Sequence, residues 1–183
     1  MVKETNRLIL RPFTGADAAG AFAWFGDADV MRFIGGGADR TVDDTANRLS
    51  RYITHQERHG FSKWLVQDKE SGQAIGDAGL LILDELEPIA DLGFRLAKSQ
   101  WGRGLATEAA TAWLHTAFEE LQLQQVSAFA HVDNMASLRV LEKIGFRMQK
   151  RQVVMGVDSY TFLLLRREYS TRSGTSRSPG GET

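Results

Sequence analysis

The sequence predicts an α/β domain of the α+β type, with a mostly antiparallel sheet flanked by helices. Three observations carry that expectation. Runs with strand alternation are interleaved with runs of helical period. Two strand runs, Lys63–Asp68 and 73–83, meet across Lys69-Glu70-Ser71-Gly72 as a hairpin. A further strand, 89–96, passes through a glycine loop straight into a helix.

The elements follow in order. Arg7-Leu8-Ile9-Leu10-Arg11 alternates and forms a first strand, closed by Pro12, which has no N–H to give a ladder. Helices are expected over 17–25 and 27–34, and Gly35-Gly36-Gly37 breaks the chain. Thr41-Val42-Asp43-Asp44 reads as a capping box with Asp in place of Glu. It opens a helix to about His59 in which Ala46, Leu49 and Ile53 share a face, and Gly60 ends it. Beyond the hairpin and 89–96, a strand is expected over 125–132, and 147–155 with 159–166 close the sheet across Gly156. The chain after Tyr169 is Ser, Thr, Gly, Arg and Pro with hardly an apolar residue. Residues 1–169 are therefore predicted as one domain and 170–183 as a disordered tail.

The most informative segment is Gln100-Trp101-Gly102-Arg103-Gly104-Leu105-Ala106-Thr107-Glu108-Ala109. A strand, a glycine loop and a helix start make an anion trap, because the first amides of a helix lack partners and the helix dipole favours negative charge there. Gly102 and Gly104 let a phosphate approach the backbone, Arg103 adds a cationic donor, and Thr107 offers a hydroxyl and an amide. Glu108 would repel a phosphate and is expected to point away. The dinucleotide fingerprint fails, since Thr107 stands where its third Gly or Ala should be, and no P-loop lysine motif is present. Leu105, Ala109, Ala112, Trp113, Thr116 and Ala117 recur at helical spacing, which makes Trp113 a core residue.

About thirty residues on comes His131-Val132-Asp133-Asn134-Met135-Ala136-Ser137-Leu138-Arg139-Val140-Leu141-Glu142-Lys143-Ile144-Gly145-Phe146. This segment resembles the N-x-x-[SA]-x-x-[VL]-x-x-x-x-G-F signature of the GNAT superfamily of acyl-CoA-dependent N-acetyltransferases. The loop Trp101 to Ala106 is similar to that family's pyrophosphate loop, [QR]-x-x-G-x-[GA], with Trp101 a departure. Thr5-Asn6-Arg7-Leu8-Ile9-Leu10-Arg11-Pro12-Phe13 and Asp29-Val30-Met31-Arg32-Phe33-Ile34-Gly35-Gly36 resemble its ribosomal-protein N-terminal acetyltransferase-like (RimJ/RimL-like) subgroup.

The resemblance implies a single-domain GNAT-like fold, whose central twisted sheet splays in a V around the acyl-CoA. It implies acetyl-CoA as co-substrate and a primary amine as acceptor, either a protein N-terminal α-amine or a small molecule. Phe94, Arg95 and Leu96 would offer backbone to the pantetheine arm, and Gly102, Arg103, Gly104, Ala106 and Thr107 would hold the diphosphate. Asn134 would reach the arm from the other strand, unless its role is to cap the helix through Ile144. The tyrosine that many members place four residues after the [SA] position is Leu141 here. Ser137, at the [SA] position, is the substitute for returning a proton to sulfur, or else an ordinary helix-start serine. Asp91 is the expected base, with Asp77, His131 and Asp158 as other candidates, and solvent water could also serve. Trp24, Phe25, Phe33, Ile34 and Gly35–Gly37 would border the acceptor, although such apolar residues are core more often than substrate contacts. An acyl-CoA-binding sensor without turnover is the rival reading.

Bulk properties fit one soluble, cytoplasmic domain, a monomer or homodimer. The chain has 183 residues, a length that can bury a sizeable core. A net charge of −1 gives no electrostatic case for nucleic acid or an anionic membrane. With Cys 0 there is no disulfide framework, thiolate metal site or cysteine nucleophile. No apolar run is long enough to span a bilayer. His55 and His59, four apart, lack a third partner at metal-ligand spacing, so no metal is expected.

Overall fold

The computed structural model describes residues 2–83 and 89–174. Eight strands form one sheet: β1 (Lys3–Glu4), β2 (Leu8–Pro12), β3 (Lys63–Asp68), β4 (Ala74–Ile82), β5 (Ala90–Leu96), β6 (Gln125–His131), β7 (Arg147–Val154) and β8 (Val157–Leu165). Their spatial order is β1-β2-β3-β4-β5-β6-β8-β7, and every pair is antiparallel except β5 with β6. The helices are α1 (Ala18–Phe25), α2 (Ala28–Met31), α3 (Val42–His59), α4 (Leu105–His115), α5 (Met135–Ile144) and α6 (Arg166–Gly174). Among the described residues, no helix is long and apolar enough to cross a membrane.

Local chemistry explains the boundaries. Thr41 Oγ1 accepts from Asp44 N at 3.1 Å while Asp44 takes the Thr41 amide, so the expected capping box opens α3, and left-handed Gly60 closes it. The hairpin β7–β8 turns through Met155 and Gly156, both at positive φ, the conformation that a two-residue turn between twisted strands demands. α2 is shorter than the predicted 27–34 helix. Asp27 caps it through the amides of Asp29 and Val30, but the chain leaves the helix after Met31 and winds toward Gly37 in single turns. The chain continues in helix past the predicted boundary at 169. α6 continues to Gly174, held by Glu168 accepting from Leu165 N and by Tyr169 stacking on Phe118 at 4.8 Å. The remainder of the predicted tail, 175–183, lies outside the described residues.

The sheet separates two cores. On one face α4 and α5 bury Leu80, Leu92, Leu105, Trp113, Val126 and Leu141. Trp113 is fully buried, edge-on to Trp64 at 5.0 Å, and truncating it to Ala would cost about 3–5 kcal/mol. On the other face α1 and α3 cover Leu65 with Trp24, Phe25, Met31, Leu49 and Tyr52. Side chains alternate along β5, so Leu92, Phe94 and Leu96 face α4, whereas Asp91, Gly93 and Arg95 face α1 and α3.

Candidate active site

The parallel neighbours β5 and β6 share a single bridge, Asp91 with Ser127. Beyond it they diverge, and the sheet opens into a V. The register of β4 with β5, continued by Ala97 N donating to Ile75 O at 2.8 Å, turns the backbone groups of residues 91, 93 and 95 toward β4. Those of Phe94 and Leu96 therefore face the opening, with no strand to meet them. The Leu96 carbonyl is taken by the Trp101 indole at 2.9 Å, which leaves its N–H and the Phe94 amide edge available. Arg95, expected to share this role, turns its backbone toward β4 instead.

The loop lies at the end of that strand. Gly102 and Gly104 both adopt positive φ, 74° and 76°, and Gly104 is the N-cap of α4. Such geometry disfavours any residue with a Cβ. The amides of Gly102, Arg103 and Gly104 donate to no protein group among the described residues, and the first-turn amides of Leu105, Ala106 and Thr107 have no acceptor one turn back. The Arg103 guanidinium donates to Gln100 Oε1. Together these exposed donors fit an anionic diphosphate.

A buttress that sequence reasoning missed fixes the loop from behind. Glu108 accepts from Thr5 Oγ1 at 2.6 Å, Arg7 N at 2.8 Å and Arg7 Nε at 2.7 Å, and Arg7 Nη1 donates to the Arg103 carbonyl at 2.9 Å. Burial alone would raise the Glu108 pKa, but these hydrogen bonds outweigh it and the carboxyl is held low. Glu108 points away from the loop amides, as expected. The only sequence signal was a Thr-x-Arg ahead of the first strand.

Across the V, Asn134 caps α5, its Oδ1 accepting from Ser137 N at 3.2 Å. Both of its readings thus find room, because the cap uses the oxygen and leaves Nδ2 without a protein partner among the described residues. The Ser137 hydroxyl, half-buried on the first turn of α5, is likewise unpartnered. Leu141, at the family's tyrosine position, lies in the core at 1% exposure.

The α1–α3 face of the sheet carries buried charge. Arg95 donates to both Asp77 oxygens, at 3.0 and 2.8 Å, and to Tyr52 Oη at 2.8 Å, while Trp24 Nε1 donates to Asp77 at 3.0 Å. Burial opposes the Arg95 charge, yet the Asp77 carboxylate more than offsets it and the guanidinium pKa rises. Asp77 is thereby committed to structure, and Asp158 is paired with Arg151 at 2.5 Å. His131 Nδ1 accepts from Asp133 N at 3.0 Å. Asp91 sits at the floor of the V, 5% exposed, with its Oδ1 accepting from Ser127 Oγ at 3.0 Å. Burial pushes its carboxyl pKa up, against the opposing pull of Lys63 and the Ser127 hydroxyl.

The same face is bridged at its open end. Lys98, just after β5, pairs with Asp29 of α2 at 2.5 Å, and Phe33 packs on His131 at the end of β6 with ring centroids 4.9 Å apart. A Cβ on Gly35 would stand 2.5 Å from the Met155 carbonyl oxygen, so this segment also lies flat on the β7–β8 turn. α2 and its following loop therefore span the arms of the V. A polar surface cup lined by Asp39, Arg40, Asp44, Asn47 and Arg51 opens beside Gly36 of the glycine turn and takes in none of the charged groups named above. His55, proposed to lack metal partners, commits both nitrogens, to Phe61 O at 2.8 Å and from Ile82 N at 2.9 Å.

Comparison with known proteins agrees with this geometry. The acetyltransferase (GNAT) domain pattern matches residues 7–147. The uncharacterized protein YkkB of Bacillus subtilis (strain 168) is 33% identical over 148 residues, 80% of this chain and 85% of that protein. The uncharacterized N-acetyltransferase YoaA of the same strain is 29% identical over 149 residues, covering 81% and 84%. A crystal structure of an acetyltransferase (GNAT family) from Bacillus anthracis superposes with a TM-score of 0.78 at 26% identity, covering 92% of this chain and 100% of that one.

Proposed function

The chain belongs to the GNAT family of acetyltransferases, and from that premise we propose that it moves an acetyl group from acetyl-CoA directly to a primary amine, a protein N-terminal α-amine. The observation that carries the reading is the gap that opens beyond the Asp91–Ser127 bridge, lined by free backbone donors and ending at a loop of unpartnered amides. Bound acetyl-CoA supplies an activated thioester, so no covalent enzyme intermediate is needed.

Each residue then has a chemical task. Gly102, Arg103, Gly104, Ala106 and Thr107 hold the diphosphate through amides, a hydroxyl and a cation. Phe94 offers its amide edge to the pantetheine arm, and Asn134 Nδ2 reaches the arm from the β6 side. The Leu96 N–H stabilises the negative charge that develops on the carbonyl oxygen. Ser137 returns a proton to the sulfur. Asp91 serves as the base of the transfer, and the floor position aligns it with the face from which the amine arrives.

The acceptor assignment draws on the likeness of Thr5–Phe13 and Asp29–Gly36 to ribosomal-protein N-terminal acetyltransferases. One observation favours a second reading. The Phe33–His131 contact and the Gly35 packing roof the amine side, which suits a slender small-molecule amine as well as a threaded chain terminus.

The deciding experiment is calorimetric titration of acetyl-CoA, with CoA, ATP and NAD beside it, followed by thiol release over a panel of free and N-terminally blocked peptides and small amines. Selective acetyl-CoA binding and release with free peptides alone is the expected result. Release with a polyamine but no peptide would move the acceptor to the small-molecule class. Binding without release from any amine would leave an acyl-CoA sensor, and no binding in the low-millimolar range would end the transferase reading.

A further inference from the structure

One buried charge on the α1–α3 face is not locked in place. Asp77 and Arg95 satisfy each other, as described. Lys63 on β3 does not share in that pairing. It is 6% exposed, and its Nζ makes no hydrogen bond or ion pair with any described protein group. Lys63, Gly79 and Gly93 stand opposite one another across β3, β4 and β5. The two glycines leave a track on which the lysine stem crosses the sheet, and a Cβ on Gly93 would collide with Nζ. The amine thus arrives at β5 between Asp91 and Arg95, beside the Phe94 edge that faces the V.

The amine lies in a nearly enclosed site. Its surroundings hold charge of both signs. Asp77 faces it from β4, Asp91 and Arg95 from β5, with Ser127 of β6 bonded to Asp91 and Tyr52 of α3 and Trp24 of α1 bonded to the Asp77–Arg95 pair. Burial pushes the Lys63 pKa down. Asp77 pulls it back, Arg95 pushes further down, and Asp91 gives a smaller opposing pull. A lysine so placed can exist as a neutral amine near neutrality.

We propose that Lys63 Nζ is the atom that takes the proton from the acceptor's ammonium group, with Asp91 as the positioning counter-charge behind it. The inference rests on the transfer reading and deepens it, since Asp91 at the floor of the V then acts through Lys63. The acceptor nitrogen gives one proton to the neutral Nζ, and its freed lone pair forms the C–N bond to the acetyl carbon as the C–S bond breaks. The second proton lost by nitrogen passes through the Ser137 hydroxyl to the departing sulfur, which leaves as the thiol. Lys63 then returns its proton to solvent, so one proton is released per transfer.

The test compares wild type, Lys63→Arg and Lys63→Met with acetyl-CoA and, as acceptors, a free Ser-Ala-headed tetrapeptide and spermidine. Acetyl-CoA affinity is measured by calorimetry, and kcat/KM across about pH 6 to 10. Side-chain lysine NMR of wild type, assigned through the backbone, follows Lys63 over the same range. The expected result is unchanged acetyl-CoA affinity, a roughly 10²–10⁴-fold loss of kcat/KM in both variants, and loss of the rising limb of the pH profile. That limb in wild type should share its midpoint with the Lys63 resonance. Wild-type activity in Lys63→Arg would show that charge alone is needed and would overturn the proposal. So would a Lys63 resonance titrating in the range of a fully solvated lysine side chain, a readout that stands even if neither variant folds. Loss of acetyl-CoA binding by wild type would instead sink the transfer reading itself.

Discussion

Arg7 and Glu108, 101 positions apart in the chain, are joined by the backbone amide and the guanidinium of Arg7, with the Nη2–Oε2 ion pair at 2.7 Å. The same guanidinium supports the Arg103 carbonyl. One arginine therefore ties the entry to the sheet, the first turn of α4 and the glycine loop into a single rigid unit.

Glu108→Gln should loosen that unit. The ion pair is part-exposed, so the stability loss is expected at about 1 kcal/mol. The larger effect falls on binding, because a loop that must be ordered by its ligand binds more weakly. Calorimetry should show the acetyl-CoA Kd rising roughly tenfold, about 1.4 kcal/mol. An unchanged Kd would mean that the loop holds its shape without the buttress.

Gly104→Glu tests the loop directly. A non-glycine residue at φ 76° costs roughly 1–2 kcal/mol of backbone strain, and the added carboxylate brings a negative charge to the loop proposed to hold a diphosphate. Acetyl-CoA binding should be abolished while the melting temperature falls by only a few degrees. Gly104→Ala separates the two effects, since it carries the strain without the charge and should retain measurable affinity.

Much of this architecture is legible in local sequence, because local chemistry dictates it. The Thr41–Asp44 box, Gly60, the Gly156 turn, the loop glycines and the buried stripe through Trp113 all act within one or two turns of chain. What escapes is pairing across the fold. Glu108 with Thr5 and Arg7, Asp77 with Arg95, and Lys63 over Gly93 join strands that no spacing rule connects. Asp77 reads as a base candidate in sequence and proves to be Arg95's partner for the same reason. α2 is overestimated because the chain past Met31 winds in single turns that bring Phe33 onto His131 and Gly35 onto the β7–β8 turn. α6 is underestimated because Tyr169 finds Phe118, a contact far off in sequence.

Stability should fall in acid through Asp17. Arg11 donates to its two oxygens at 2.7 and 2.9 Å, burial opposes, and Thr14 adds two donors, so the carboxyl is lowered to about 2. In the unfolded chain it titrates near 3.8. The unfolded state thus binds more protons between those values, and the stabilisation is full above about pH 4 and lost as pH falls toward 2. After allowance for solvent screening it amounts to about 1 kcal/mol. Denaturant unfolding of Asp17→Asn should show the deficit at pH 7 and converge with wild type near pH 2. A constant deficit over that range would show that packing, and not charge, supplies the effect.

Asn134 allows its two roles to be separated by chemistry. The Oδ1 caps α5 through Ser137 N, and Nδ2 is the donor left for the pantetheine arm. Asn134→Ala removes both and should cost about 1 kcal/mol of stability along with acetyl-CoA affinity. Asn134→Asp keeps a capping oxygen at the positive end of the helix dipole but has no donor. Its melting temperature should match wild type, and its KM for acetyl-CoA should rise several-fold with kcat little changed, as expected for an interaction equal in ground and transition states. If Asn134→Asp kept the wild-type KM while Asn134→Ala lost stability alone, the residue would be a helix cap and nothing more.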